Sequence, residues 1–211
     1  MTKAPARCAP LRLVCVLVLC GFAAGCALQR AVPGSTVAWE SRREALLALD
    51  GWELRGRIGV KTRDGGGQGS LEWQQGREDA RLRVSGPFGA GAWELRWNPR
   101  EAVLSDGHGQ VAQDYAGPAA LDRLLADNVG WEFPAEQTRY WVLGLAAPGS
   151  RSRLRYGQDG WLEGLEQDGW QVEFARFGET SGYWMPRTIT VQNDSARLRL
   201  VVDRWLPGSP E

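Results

Sequence analysis

The chain runs to 211 residues, carries 25 basic and 25 acidic side chains, and has a mean hydropathy of −0.35. That length suits one globular domain, and a balanced charge without a polybasic run excludes nucleic-acid binding by charge alone. All four cysteines, Cys8, Cys15, Cys20 and Cys26, fall in the first 26 residues, so the remainder must hold together by packing, with no disulfide and no cysteine metal site.

From the amino terminus, Lys3, Arg7 and Arg12 flank the start of an apolar run, Leu13 to Phe22, and no acidic residue comes before Glu40. A basic start, a short apolar core and small residues behind it predict a secretory signal peptide over residues 1–25. The run is too short to cross a bilayer as a helix, which takes roughly 20 apolar residues. The segment closes on Ala23-Ala24-Gly25-Cys26, which resembles the lipobox of bacterial lipoproteins, with alanine where leucine is commonest. The resemblance implies cleavage before Cys26, lipid on its sulfur and an acyl group on the new amino terminus. Ala27 follows; the usual signal for retention at the inner membrane is an aspartate there, so the resemblance implies sorting to the outer membrane. Several acyl chains anchor far more firmly than one. Loss of residues 1–25 removes three basic and no acidic residues, leaving 22 basic against 25 acidic side chains and a net charge of −3.

Residues 26–35 read as a lipidated tether, reaching roughly 30 Å if extended, ahead of a domain over 36–206 and a short tail over 207–211. Trp39 to Leu49 reads as a helix, with Ser41-Arg42-Arg43-Glu44 fitting a capping box and Trp39, Leu46 and Leu49 forming its apolar stripe. From Trp52 the period changes to two. Trp52, Leu54, Gly56, Ile58 and Val60 alternate with Glu53, Arg55, Arg57, Gly59 and Lys61, the pattern of a half-buried strand. Asp64 to Gly67 is a hairpin turn, and the return strand carries Leu71 and Trp73 inward. Ala80 to Ser85, Trp93 to Asn98, Ala102 to Ser105 and Gln110 to Tyr115 continue as short strands, so six successive strands predict an antiparallel meander. Gly117-Pro118 opens a helix with proline near its first position, its apolar face made by Leu121, Leu124 and Leu125. Pro134 opens another that Gly144 closes. Strands resume over Arg153 to Gln158, Trp161 to Gln167, Trp170 to Phe174, Trp184 to Val191 and Arg197 to Val202. The predicted fold is mainly β within the α+β class, with ten to eleven antiparallel strands and three helices. Two of the helices interrupt the sheet and must pack on its apolar face.

Little points to catalysis. The chain lacks a Gly-x-Ser-x-Gly elbow, a phosphate loop and a dinucleotide fingerprint. The sole histidine, His108, sits in the turn-like run Ser105 to Gly109 and reads as a solvated turn residue, while Glu163/Glu166 and Glu132/Glu136 read as solvated faces. Eleven tryptophans stand out; large aromatics supply apolar area with a polar handle, as core fillers or as the wall of an apolar cavity. One loop, Ser85-Gly86-Pro87-Phe88-Gly89-Ala90-Gly91-Ala92, joins two alternating strands. Glycine and proline make it a tight turn. Its Phe88 either folds back on the core or stands out as an apolar tip for a membrane or partner.

Several stretches, in order and spacing, resemble one family across most of the mature chain. They are Trp52-x-Leu54-x-Gly56-Arg57-Ile58-Gly59-Val60, Leu71-x-Trp73-Gln74-Gln75, Gly86-Pro87-Phe88-Gly89, Trp141-Val142-Leu143-Gly144, Gln167-Asp168-Gly169-Trp170-x-Val172, Met185-Pro186, and Leu198-x-Leu200-x-Val202 with Trp205. Together with the lipobox they resemble the LolB family, outer-membrane receptors of the lipoprotein sorting pathway. The resemblance implies an incomplete antiparallel β-barrel whose helices cover an apolar cavity. It implies a monomer that accepts acylated lipoproteins from the periplasmic carrier LolA and inserts them into the inner leaflet of the outer membrane, without nucleotide, metal or other cofactor beyond the lipid on Cys26. It places Gly86, Pro87, Phe88 and Gly89 on the family's protruding membrane-insertion loop, with phenylalanine where leucine is common. Alternation then nominates Trp52, Ile58, Leu71, Trp73, Leu82, Trp93, Leu95 and Leu200 as acyl-cavity walls. The alternative function is that of a structural or assembly lipoprotein, or a general lipid-binding module of the same fold.

Overall fold

The computed structural model describes residues 36–89, 91–129 and 133–208, and of residues 36–38, 88 and 129 the backbone alone. The signal segment, the tether, Cys26, Trp131 and Glu132 lie outside the described residues.

The alternating runs form eleven strands: β1 (Trp52–Thr62), β2 (Gly66–Gln75), β3 (Ala80–Ser85), β4 (Trp93–Asn98), β5 (Glu101–Asp106), β6 (Val111–Ala116), β7 (Ser152–Tyr156), β8 (Leu162–Gln167), β9 (Trp170–Thr180), β10 (Tyr183–Gln192) and β11 (Ala196–Pro207). They build one antiparallel sheet in the order β6-β5-β4-β3-β2-β1-β11-β10-β9-β8-β7. The first and last strands meet in the middle, and β6 and β7 are its two edges. The sheet is open, as an incomplete barrel requires. Strand β11 continues through Pro207, where a tail was expected to begin.

This topology dictates what the helices do. The chain leaves the sheet at one edge, after β6, and re-enters at the other, at β7. A connection between opposite edges must cross a face, and the apolar face is the one that gains by being covered. Helices α2 (Ala120–Val129) and α3 (Ala135–Trp141) lie in that connection, behind α1 (Thr36–Leu47) in the chain. Helix α2 packs on β5 and β6 and α1 on β10. Helix α1 begins at Thr36, earlier than the apolar stripe indicated. Ser41 therefore sits inside the helix, and the expected capping box does not form.

Antiparallel register shows which residues share a face. Leu54, Trp73, Leu82, Leu95 and Leu104 stand opposite one another in one row across β1 to β5. A second row, Trp52, Gln75, Ala80, Trp97 and Ala102, lies at the end of the sheet where β1 begins. There the packing is tight. Trp52 sits 5.1 Å from Trp73 and 5.5 Å from Trp205 between ring centroids. Between Arg55 and Gly56 the β1–β11 register slips by one residue. A Cβ on Gly56 would lie 2.2 Å from the Val201 carbonyl oxygen, so only glycine admits this approach. Strand β10 pairs with β11 only from Thr188 onward. Pro186, which has no N–H to give a ladder, falls in the unpaired stretch, and its carbonyl accepts the Trp205 indole N–H at 2.9 Å.

Helix α1 is held by Arg42. Its Nε donates to the Trp184 carbonyl at 2.7 Å and its Nη2 to that of Leu143, while the guanidinium lies over the rings of Trp39 and Phe177. It has no carboxylate partner among the described residues. Removal from water pulls its pKa down to about 9. Arg42→Met is expected to lower stability by about 1.5 to 3 kcal/mol, the range for hydrogen bonds to a charged group. An unchanged urea midpoint would mean that Trp39 and Leu46 alone seat the helix.

Candidate functional site

A cavity of about 470 Å³ lies between the apolar face of the sheet and α2. Its floor is the leucine row already described, less Leu54, together with Ile58, Val60, Val84, Trp93, Trp97 and Leu198. Its roof is Leu121, Leu124 and Leu125 of α2, with Phe133 and Ala135 beyond the helix. The three leucines follow the i, i+3, i+4 spacing that puts side chains on one helix face, which is why this face alone meets the sheet. Among the described residues Asn128 is the one lining residue with a polar side chain other than tryptophan. It is already engaged, donating to the Leu124 carbonyl and to Gln113 Oε1. The size falls within the roughly 300–1,000 Å³ of small-molecule sites, but the wall offers area almost without directional contacts.

The wall is graded along the strands. Residues nearest the start of β1, Trp73 and Trp97, are buried, whereas Ile58, Val60, Val84 and Leu198 towards the hairpin end are only half-buried, as are Leu82 and Leu104 in the row of Trp73. Trp93 is 37% exposed. Apolar side chains left half-exposed on the inner face mark where the cavity opens. That end carries the β1–β2 hairpin and the loop from β3 to β4. In this loop Pro87–Gly89 forms a single 3-10 turn, and the Gly89 N–H donates to the Gly86 carbonyl at 3.0 Å.

Of the eight residues nominated as wall, Ile58, Trp73, Leu82, Trp93 and Leu95 line the cavity together. Trp52, Leu71 and Leu200 share the same face but are buried in the core away from it. Val60, Val84, Trp97, Leu104 and Leu198, with the α2 leucines, Asn128, Phe133 and Ala135, complete the lining and were not nominated. Val60 and Leu198 are directly opposed across β1 and β11, and the alternation of each strand already placed them on the inner face. Among the described residues seven tryptophans are buried: Trp39, Trp52, Trp73, Trp97, Trp141, Trp170 and Trp205. His108 is exposed in its turn, its backbone N–H donating to Asp106 Oδ1. Glu163 and Glu166 pair with Arg155 and Arg153 on the solvated side of β7 and β8.

Over the other half of the face, Gln167 closes the structure. Its Oε1 accepts the Trp141 indole N–H at 2.8 Å and the Ala147 N–H at 2.9 Å, while its Nε2 donates to the Ala147 carbonyl and to Ser150 Oγ, both at 2.8 Å. One buried amide thus ties the segment after α3 to β8 and keeps that half of the sheet sealed.

The fold and site define a class: an open antiparallel sheet with a helix-roofed, almost wholly apolar cavity. The comparisons narrow this class. The family model described as "Outer membrane lipoprotein LolB" matches residues 50–205. The chain is 37% identical over 174 residues to the outer-membrane lipoprotein LolB of Pseudomonas fluorescens strain Pf-5, covering 82% of this chain and 83% of that one. It is 38% identical over 175 residues to that of Stutzerimonas stutzeri, with 83% of each covered, and 35% identical over 202 residues to that of Pseudomonas putida strain W619, with 95% and 96% covered. A solved LolA superfamily protein from Nitrosomonas europaea aligns at a TM-score of 0.46 and 10% identity, covering 82% of this chain and 93% of that one. The chain belongs to the LolB family.

Proposed function

We propose that this chain is an outer-membrane lipoprotein, anchored through Cys26 on the periplasmic face, that receives acylated lipoproteins from a soluble LolA-type carrier and delivers them to the membrane. The observation that carries the reading is the 470 Å³ cavity, lined by leucine, valine, isoleucine and tryptophan, in a chain of this family. Acyl chains need area and tolerate disorder, and burial is worth roughly 0.8 kcal/mol per CH2. The graded wall also gives the transfer a direction. A chain held among half-exposed side chains stays partly wet, whereas in a bilayer it does not, so release into the membrane runs downhill without a nucleotide, metal or other cofactor.

The test uses carrier loaded with a labelled lipoprotein and mixed with the chain from residue 27 onward. That part contains every strand and helix described above and its whole core. The label is expected to move from carrier to this chain. Label that stays on the carrier would reject the acceptor role and favour a structural lipoprotein.

The loop over Gly86 to Gly89 is proposed as the element that enters the bilayer, with Phe88 at its tip. Burying a phenylalanine is worth roughly 1.5 to 3 kcal/mol, and a carboxylate in its place opposes insertion. Phe88→Glu is therefore expected to accept cargo normally and to insert it into vesicles at least about tenfold more slowly. Insertion at the normal rate would remove Phe88 from the mechanism.

A further inference from the structure

The outer face of the sheet is largely a pattern of matched charges. Arg55 meets Glu53 and Glu72, Arg57 meets Asp203, Arg81 and Arg96 meet Glu94, Arg153 meets Glu166 and Arg155 meets Glu163. Arg83 and Arg204 are single exceptions, and unmatched cations gather at the hairpin end of β1 and β11. There Lys61, Arg197 and Arg199 are exposed and make no hydrogen bond or ion pair among the described residues. Lys61 stands directly opposite Arg197, and Arg199 opposite Gly59. Like charges facing each other across strands destabilise a sheet, so this arrangement costs stability that a paired one would not.

The three cations border a shallow cleft of about 380 Å³, with Gly59 in its floor and Gln68 on its far side. A Cβ on Gly59 would meet nothing within 4 Å, so the space above the backbone is open. A ring of unopposed cations, an amide that can donate and an open glycine floor fit an anion carrying several oxygens, and a phosphate has that chemistry. Lys61 is the one lysine after Lys3.

The position of the cleft selects the source of the phosphate. Ser85, where the chain leaves β3 for the Phe88 loop, faces Ser70, and Ser70 faces Arg57. The loop therefore departs at the level of the strand positions just before Gly59 and Lys61, at the same end of the sheet, where the apolar cavity also opens. We propose that Lys61, Arg197, Arg199 and Gln68 form a binding site for the phosphate of an anionic phospholipid headgroup, which sets the cavity mouth against the bilayer. The inference rests on the membrane-delivery reading and extends it from the apolar tip to the headgroup layer.

The experiment measures sedimentation of the chain from residue 27 onward with vesicles of phosphatidylcholine alone or of an equal mixture with phosphatidylglycerol. Each basic residue near an anionic surface contributes about 1 kcal/mol. The combined variant Lys61→Gln, Arg197→Gln, Arg199→Gln is thus expected to lose on the order of a hundredfold in affinity for the mixed vesicles and almost nothing for the neutral ones. Its thermal midpoint is expected to hold or rise, because the variant removes facing like charges. Equal binding of the parent chain to both vesicles, or equal binding of variant and parent to the mixed ones, overturns the proposal. So does full competition by inorganic phosphate at the ionic strength of a matched chloride control, which would make the cleft a site for a free anion. Vesicle-free transfer from the loaded carrier is expected to be unchanged in the variant. A loss there would reassign the cations to carrier docking and also overturn the lipid site. A parent chain that takes cargo but shows no lipid preference keeps the proposed function and loses this inference; one that prefers the mixed vesicles but takes no cargo does the reverse.

Discussion

Replacing Leu82 and Leu104 together with tryptophan is expected to leave the domain folded and to cut cargo acceptance on the order of a hundredfold. Both side chains stand in one row across β3 to β5 and point into the cavity. Both are only half-buried. Larger side chains usually strain a core because it has no free volume, but here each indole grows into open space. The fold is therefore expected to keep or slightly raise its thermal midpoint. Two indoles in a cavity of about 470 Å³ displace several methylenes of any acyl chain. At roughly 0.8 kcal/mol for each excluded CH2, loss of three or four amounts to about 3 kcal/mol, or two orders of magnitude in affinity. Displacement of an environment-sensitive fluorescent fatty acid measures the affinity directly, and transfer from loaded carrier measures its consequence. Normal affinity in a well-folded variant would show that cargo sits elsewhere and would remove the cavity from the mechanism.

The contrast between Leu82 and Leu200 shows what alternation reveals and what it hides. Period two assigned both to the inner face, and both lie there. Whether an inward residue meets packed side chains or open space depends on how far the covering helices reach, which local sequence does not encode. Leu200 is buried, whereas Leu82 looks into the gap under α2. The meander of the first six strands was legible because short turns leave successive strands few partners besides one another, but the pairing of β1 with β11, which sends the helices from one edge to the other, was not. The start of α1 was not legible, because an interior Ser-x-x-Glu looks like a cap in isolation. Arg42 binds carbonyls more than a hundred residues away, a link that no periodicity carries. The unpaired state of Lys61, Arg197 and Arg199 is hidden for the same reason: it is a property of strand register, and the sequence there shows only ordinary outward charges.

The half of the sheet away from the cavity should prove the more fragile, and Gln167→Ala tests this. The amide satisfies four polar groups, two on Ala147, one on Trp141 and one on Ser150, and Gln167 and Trp141 are both buried. Truncation leaves the Trp141 indole N–H and both backbone groups of Ala147 without partners in a place from which water is excluded. Each unsatisfied buried group costs about 1 to 3 kcal/mol, so the total is expected at about 3 to 5 kcal/mol, at the upper end of single substitutions. Urea unfolding followed by tryptophan fluorescence is the appropriate measurement, because Trp141 and its neighbour Trp170, 6.4 Å away between ring centroids, both report on this region. Gln167→Glu provides the control. A carboxylate keeps the two acceptor contacts but cannot donate to the Ala147 carbonyl unless protonated, so Gln167→Glu should recover stability as the pH falls and the carboxyl takes up a proton. A pH-independent loss equal to that of Gln167→Ala would show that side-chain volume, not hydrogen bonding, matters at this position. Cargo affinity, measured where both variants remain folded, should change little, because Gln167 lies outside the cavity wall and acts on the sealed half of the face.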